Sequence, residues 1–333
     1  MFGRHADGTG RYSWYLVHEL RNLGLEVDVF SSTLHVRRVG PLFHFLASAH
    51  EANLNREFRH YDVVHSNEGA GLLVFHPCMI ETYHHDYAQT NEFGDCVFNL
   101  LENVECHKVR HIVVPSCASK NSLLDYGFSP SKISVIHHGV NHELFKKDEV
   151  LRESMRRKLG LCNYFVVLNV GRLVKHKGHA ALVRIMQKLP KSALIVVGKG
   201  KEELPVREIA SKMGVKMLHF KDVTDEFLSG LYNAADLYVH TSTLEGFGLT
   251  VLEAMACGLP VIAYKVADFE QVVGGAGHLV DIGDVEGIKS KLWLLFQDED
   301  MRRRLGELAY LRSKDFSWSE TARKHVHVYK SAF

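Results

Sequence analysis

Arg172 and Lys177 stand in a glycine-bounded run, Gly171-Arg172-Leu173-Val174-Lys175-His176-Lys177-Gly178. A guanidinium forks onto two oxygens and an ammonium acts as a point charge, so the pair suits a diphosphate. The run lacks the GxxxxGK[ST] order of a P-loop. Taken alone, it can equally be a solvated basic loop. Further along, Glu245-Gly246-Phe247-Gly248-Leu249-Thr250-Val251-Leu252-Glu253 places two acids around a pair of glycines. Gly246 and Gly248 allow the backbone to approach a ligand closely. A helix expected to start near Gly248 would offer its first N–H groups to a phosphate or sugar oxygen. Glu245 and Glu253 could accept hydrogen bonds from sugar hydroxyls. The plain alternative is a helix-start acid followed by an ordinary helical glutamate.

Weaker signals lie in the first half. Gly8-Thr9-Gly10-Arg11-Tyr12 reads as a glycine loop leading into a helix, a place where a phosphate can approach. Thr82-Tyr83-His84-His85-Asp86 follows the apolar segment ending at Ile80. Its histidines could act on a substrate, although such pairs are more often ordinary polar residues than metal ligands. His137-His138 is similarly open. Asp298-Glu299-Asp300 has the DxD spacing of some metal-dependent sugar transferases, yet it falls between two expected helices and reads as a helix cap.

These residues need a scaffold, and the second half supplies an alternating one. Phe165–Val170, Ala193–Val197, Asp236–His240 and Pro260–Tyr264 are short apolar runs suited to strands buried on both faces. Helical stretches are expected around 178–189, 201–213, 225–235 and 248–257, giving a doubly wound α/β domain. The basic loop then sits at a strand's carboxyl end, where open α/β sheets bind ligands. In the first half, Leu25–Phe30, Tyr61–His65, His111–Val114 and Ile133–Ile136 read as strands. Tyr12, Leu16, Leu20 and Leu23 share one face of an expected helix over 11–23. The charged stretch Lys146–Lys158 sets an expected boundary near residue 150. A doubly wound domain normally opens with a strand before its first loop. None precedes Gly8, so the first strand of this half is expected to be missing.

Composition narrows the class. Over 333 residues, Lys+Arg is 40 and Asp+Glu is 39, a formal net charge of +1, which argues against a nucleic-acid binder. The first 150 residues are net acidic and the remainder net basic, which suits an anionic ligand in the second half. No apolar run reaches the roughly 18 residues needed to span a bilayer, and no signal-peptide pattern is visible. The cysteines Cys78, Cys96, Cys106, Cys117, Cys162 and Cys257 form no CxxC pair and read as reduced cytoplasmic thiols, Cys257 as a small core residue.

Together these motifs resemble glycosyltransferase family 4, retaining enzymes of the GT-B fold. The resemblance is strongest from Val166 to Val280. It covers Gly171-Arg172, Lys177-Gly178, Tyr232-Asn233-Ala234-Ala235-Asp236, the pair Glu245 and Glu253, and Glu253-Ala254-Met255-Ala256-Cys257-Gly258-Leu259-Pro260-Val261-Ile262. Gly10-Arg11-Tyr12, Thr82-Tyr83-His84, Val114-Pro115-Ser116 and Ile136–Asn141 match more loosely, with His137-His138 where the family has Pro-Asn. The resemblance implies two Rossmann-like domains facing a cleft. These would be an acceptor-side domain over 1–150 and a donor domain over 151–310, with a final segment over 311–333, including Trp318, that crosses back. It implies a nucleotide-sugar donor, UDP- or GDP-linked, with no other cofactor and no metal. Arg172 and Lys177 would hold the diphosphate, Glu253 the ribose and Glu245 the transferred sugar. Gly171, Gly246, Phe247, Gly248 and Leu249 would line the donor, and Gly8 and Gly10 would lie near its phosphates. His84 would be the active-site histidine, with His85 as fallback. The acceptor would be a glycan, a lipid-linked sugar or a small molecule. Arg11, Arg21, Arg37 and Arg38 with Trp14 and Tyr15 could form a peripheral patch at the inner membrane face, although surface charge beside a buried aromatic explains them as well. A GT-B epimerase or phosphorylase, or an inactive nucleotide-sugar binder, are the competing readings.

Overall fold

β-Branched and aliphatic runs set the architecture, because strands that are apolar on both faces must be covered on both. The computed structural model describes residues 8–30, 57–67, 75–84 and 108–333. The chain divides into two compact units, one holding residues up to Gly139 together with Trp318–Phe333, the other Val140–Ser317.

The second unit is a six-stranded, all-parallel sheet. Its elements follow in the order α3 (Glu149–Leu159), β5 (Phe165–Val170), α4 (His179–Met186), β6 (Ser192–Val197), α5 (Glu203–Lys212), β7 (Met217–Phe220), α6 (Asp225–Ala234), β8 (Leu237–His240), α7 (Leu249–Ala256), β9 (Val261–Tyr264), α8 (Phe269–Val273), β10 (Gly277–Val280), α9 (Val285–Gln297) and α10 (Glu299–Ser313). The strand order is β10-β9-β8-β5-β6-β7. The chain therefore builds outward from β5 on one side, then returns to β8 on the other. Leu168, Ile195, Val239 and Ile262 are fully buried in this core, each stabilising by roughly 1.5–3 kcal/mol. The segment 140–148 belongs here through its hydrogen bonds. Ser229 Oγ donates to the Leu144 carbonyl at 2.7 Å, and Asn233 Oδ1 accepts from Asp148 N at 2.8 Å. Asp236 is clasped by Arg152 and by Arg156, the latter at 3.1 Å, and accepts from Val166 N at 2.7 Å. The Tyr232–Asp236 motif thus fixes α3 to α6 and β5.

The first unit carries α1 (Gly8–Asn22), β1 (Val64–Asn67), β2 (Met79–Thr82), β3 (His111–Val114), α2 (Cys117–Asp125), β4 (Ile133–Val135) and α11 (Trp318–Ser331). Its strands are parallel in the order β1-β2-β3-β4. Two expectations are corrected. Residues 25–30 form no strand: the Val27 carbonyl is taken by the Arg21 guanidinium, and Val29 and Phe30 are exposed. The strand placed at Tyr61–His65 starts later, at Val64, because Tyr61 closes a turn on the Phe58 carbonyl. Helix α1 begins at Gly8, earlier than expected, so Gly8 and Gly10 lie in its first turn instead of a preceding loop. Among the described residues no helix is long and apolar enough to cross a membrane.

Candidate functional site

Strands β5 and β8 are neighbours although three helices and two strands separate them in sequence. Open α/β sheets bind ligands at such a switch point, outside the carboxyl ends of the strands. Both loops carry residues singled out in the sequence. After β5 the chain makes a short 3₁₀ turn, Lys175–Lys177, and enters α4 at Gly178. Gly178 has φ +71°, and a Cβ there would meet the Thr241 carbonyl at 2.4 Å. After β8 the chain enters α7 at Gly248, with φ +93° and a virtual Cβ only 2.3 Å from the Phe269 ring. The first N–H groups of a helix have no intrahelical acceptor, and neither helix has a side-chain N-cap to take them.

The two loops are stitched together. Thr241 Oγ1 donates to the Lys177 carbonyl at 2.8 Å, and Thr243 N donates to the His176 carbonyl at 2.8 Å. Across them, Lys177 Nζ and Glu245 Oε1 form an ion pair. His240 Nε2 reaches the same oxygen at 2.6 Å. Burial would raise the Glu245 pKa, but the charges and hydrogen bonds of His240 and Lys177 outweigh it and hold the carboxyl well below the usual range. Glu253 is buried on α7 and accepts from Tyr232 OH at 2.8 Å. Phe247 is buried between the two acids, and the following residue, Leu249, opens α7. Arg172 is exposed, and its guanidinium has no hydrogen bond or ion pair among the described residues. Its charge, with that of Lys177, adds to burial in lowering the pKa of His176.

The structure therefore gathers Gly171, Arg172, Lys177, Glu245, Gly246, Phe247, Gly248, Leu249 and Glu253 around one sheet end. His84, Gly8 and Gly10 belong to the other unit. There His84 follows β2, is buried, and bonds Asn67 Oδ1 through Nε2 at 3.2 Å. Its ring meets Tyr12 edge-on at 4.5 Å and His138 at 5.4 Å. His85, Asp86, Arg37, Arg38, Cys96 and Cys106 lie outside the described residues. Tyr15 is buried and stacked on Trp318 at 5.2 Å, so it is no surface anchor. Asp298 caps α10, accepting from Met301 N at 2.8 Å. Among the described residues no group of three or more metal-ligating side chains converges.

Sequence reading missed a buried polar chain beside His84. His325 Nδ1 lies 2.8 Å from the Thr321 carbonyl, which can only accept. Burial holds His325 down to about 4, so it is neutral near pH 7 and its Nε2 is bare. Tyr12 OH, 2.8 Å away, must then donate to it. Thr82 Oγ1 in turn donates to Tyr12 at 3.0 Å, His65 Nε2 to Thr82 at 2.6 Å, and Tyr329 OH to His65 Nδ1 at 2.7 Å. Every bond runs one way, from α11 through β1, β2 and α1 back to α11. Equally missed were the bonds made by His240 and Tyr238, read only as part of a strand, and by Tyr232, noted only as part of the Tyr232–Asp236 motif. A polar residue ending an apolar strand just before the Glu245 loop was the available signal.

Two parallel α/β units, one with glycine-bounded loops at a switch point, give a GT-B protein. Sucrose-phosphate synthase from Thermosynechococcus elongatus has this fold in common with the chain, with TM-score 0.82 and 22% identity over 98% of this chain and 94% of that one. Anabaena HepE, solved in complex with UDP-glucose, superposes with TM-score 0.76 and 24% identity over 98% of this chain and 90% of that one. Residues 6–144 match Glycosyltransferase Family 4 and residues 152–312 match Glycosyl transferases group 1, and the chain belongs to this family. Among curated relatives, the MMP alpha-(1->4)-mannosyltransferase of Mycolicibacterium hassiacum is 27% identical over 98% of this chain and 95% of its own length. The D-inositol 3-phosphate glycosyltransferase of Xylanimonas cellulosilytica is 34% identical over 62% of this chain. The match to the latter spans 53% of that relative, about half its length, as it does for several others.

Proposed function

We propose that this protein transfers a sugar from a nucleoside-diphosphate sugar to a hydroxyl acceptor, with retention of configuration and without a metal ion. One observation carries the reading: Lys177 and Glu245, a cation for phosphate and an acceptor for hydroxyls, converge where two glycine-started helices open at the switch point. In this reading Arg172, Lys177 and the α4 N-terminus take the diphosphate. Glu245 takes the transferred sugar and Glu253 the ribose. The roles that the resemblance implies for His84, Gly8 and Gly10 stand as part of the proposal.

The bond from the anomeric carbon to the diphosphate breaks, and negative charge grows on the departing phosphate. Fixed cations and backbone dipoles stabilise that charge most where they need no reorganisation. The acceptor oxygen bonds the anomeric carbon on the same face, and its proton passes to the departing phosphate. No protein nucleophile is needed. UDP- and GDP-sugars are the donors proposed, a choice supported by the UDP-glucose complex of the structurally similar HepE. The acceptor class is a glycan, a lipid-linked sugar or a small molecule. Thermal unfolding with UDP, GDP, ADP and their sugar conjugates tests the donor. A ligand at about 100 times its dissociation constant stabilises by roughly 2.7 kcal/mol. A shift with one base identifies the donor class, and no shift with any of them overturns the reading. Transfer should also survive EDTA; abolition reversed by added Mg²⁺ or Mn²⁺ overturns the metal-independent step.

A further inference from the structure

We infer that His240 is the positioning residue for Glu245, holding one carboxylate oxygen so that the other faces the donor sugar when Lys177 departs for the diphosphate. The inference rests on the donor-site reading above and goes beyond it by naming what keeps Glu245 in place. In the donor-site reading Lys177 and Glu245 each meet the donor, yet the two neutralise one another as an ion pair. In the same reading, the diphosphate draws the Lys177 ammonium toward itself and loosens its hold on Glu245. Glu245 is nearly buried, its side chain 12% exposed, and a buried carboxylate left without any partner is strongly disfavoured. A second partner that stays behind removes that obstacle.

His240 has the geometry for this. It ends β8, its side chain is 3% exposed, and Nε2 lies 2.6 Å from Glu245 Oε1. A carboxylate only accepts, so Nε2 must carry hydrogen. On the opposite ring edge, Tyr238 OH lies 3.3 Å from Nδ1, 2.8 Å from Thr250 Oγ1 and 3.3 Å from the Val170 carbonyl. That hydroxyl can serve either form of the ring. It caps a bare Nδ1 by donating to it. When Nδ1 carries hydrogen instead, the hydroxyl accepts from it and sends its own proton to Thr250 or Val170. Phe269 packs on the ring at 5.5 Å and prevents it from swinging away. Lys177 and His240 both take Oε1, and Oε2 has no partner among the described residues. One oxygen is thus for the protein and the other for a ligand hydroxyl.

The test separates sugar recognition from phosphate recognition. Wild type, His240→Leu, His240→Gln and Lys177→Ala are titrated calorimetrically with UDP, GDP, UDP-glucose and GDP-mannose. Leucine preserves apolar volume but cannot donate, whereas the glutamine amide can donate from a similar reach. For the sugar nucleotide that binds, H240L should weaken affinity about ten- to a hundredfold, the scale of one hydrogen bond to a charged group. Affinity for the parent diphosphate should stay within about twofold. H240Q should restore much of the loss, and K177A should weaken both ligands. Equal loss of diphosphate and sugar nucleotide in H240L, or no loss of either, overturns the inference while leaving the donor site intact. Should H240L fail to fold, Tyr238→Phe, which removes the hydroxyl behind Nδ1, replaces it: weaker sugar-nucleotide binding alone supports the inference, and an equal effect or none overturns it. Wild-type protein that binds none of the four probes overturns the donor-site reading, and this inference with it.

Discussion

Replacing His179 by leucine should make the protein markedly less sensitive to acid. His179 is the first residue of α4, directly behind the Gly178 turn, and is 3% exposed. Neither ring nitrogen has a hydrogen-bond partner among the described residues. Burial, reinforced by the nearby His240, Lys177, His219 and His176, lowers its pKa from 6.5 to about 4. The folded state therefore resists a proton that the unfolded chain accepts below about pH 6.5. Stability is fully present above that pH and falls as the pH drops toward 4. At 1.36 kcal/mol per pKa unit, the loss across this window is about 3 kcal/mol, a large part of a typical folding free energy of about 5–15 kcal/mol. His179→Leu removes the proton site and two unsatisfied nitrogens. Urea unfolding of both proteins, followed by circular dichroism at pH 7 and pH 4, measures the effect. The advantage of the variant should be about 3 kcal/mol larger at the lower pH. An advantage of equal size at both pH values, or a variant less stable at both, would sink the reasoning.

Other substitutions probe the site and its frame. Arg172→Ala should lose about 10²–10³ in transfer rate, the scale for one charge-stabilising donor, with an unchanged melting temperature because the side chain is exposed; full activity removes Arg172 from the mechanism. Gly248→Ala should destabilise by about 2–4 kcal/mol through its positive φ and the Phe269 ring, read by chemical denaturation; a neutral variant contradicts the close approach. Asp236→Asn strips the shared counter-charge from Arg152 and Arg156 and should cost about 3–5 kcal/mol. In that variant, unchanged stability would show that the clasp is dispensable.

Much of the second unit was legible because its inner strands are apolar on both faces. β5, β6, β8 and β9 fall within a residue of the runs expected from the sequence. β7 and β10 were not seen, and the sheet order explains why. They are the two edges, where a strand pairs on one side only and tolerates partly exposed residues such as Met217 and Leu279. Alternation at 25–30 misled in the opposite direction, since the pattern of a strand does not supply a neighbour to pair with. At the site, charge and spacing made Arg172, Lys177, Glu245 and Glu253 candidates, and only the family resemblance gave them roles. The pairing of Lys177 with Glu245, and the hold of His240 and Tyr238 upon them, is tertiary. Local sequence could not show that a strand-end histidine points at an acid in the following loop.

The second unit is, in sequence, an insertion within the first. The chain leaves the first unit after Gly139 and rejoins it at Trp318, and the two crossing points lie side by side, with Val140 N donating to the Phe316 carbonyl at 3.2 Å and Val140 bridged to Ser317. Order of synthesis then conflicts with order of assembly. Residues of α1, β1 and β2 leave the ribosome long before Thr321, His325 and Tyr329 exist to complete the polar chain that Tyr12, His65 and Thr82 begin. The inserted unit has all its strands by Val280 and the last helix of its core, with Leu305 and Ala309, before Trp318 is made. Helix α11 is thus a closing latch, and the buried hydroxyls and imidazoles of the first unit stay wet until the last helix is made.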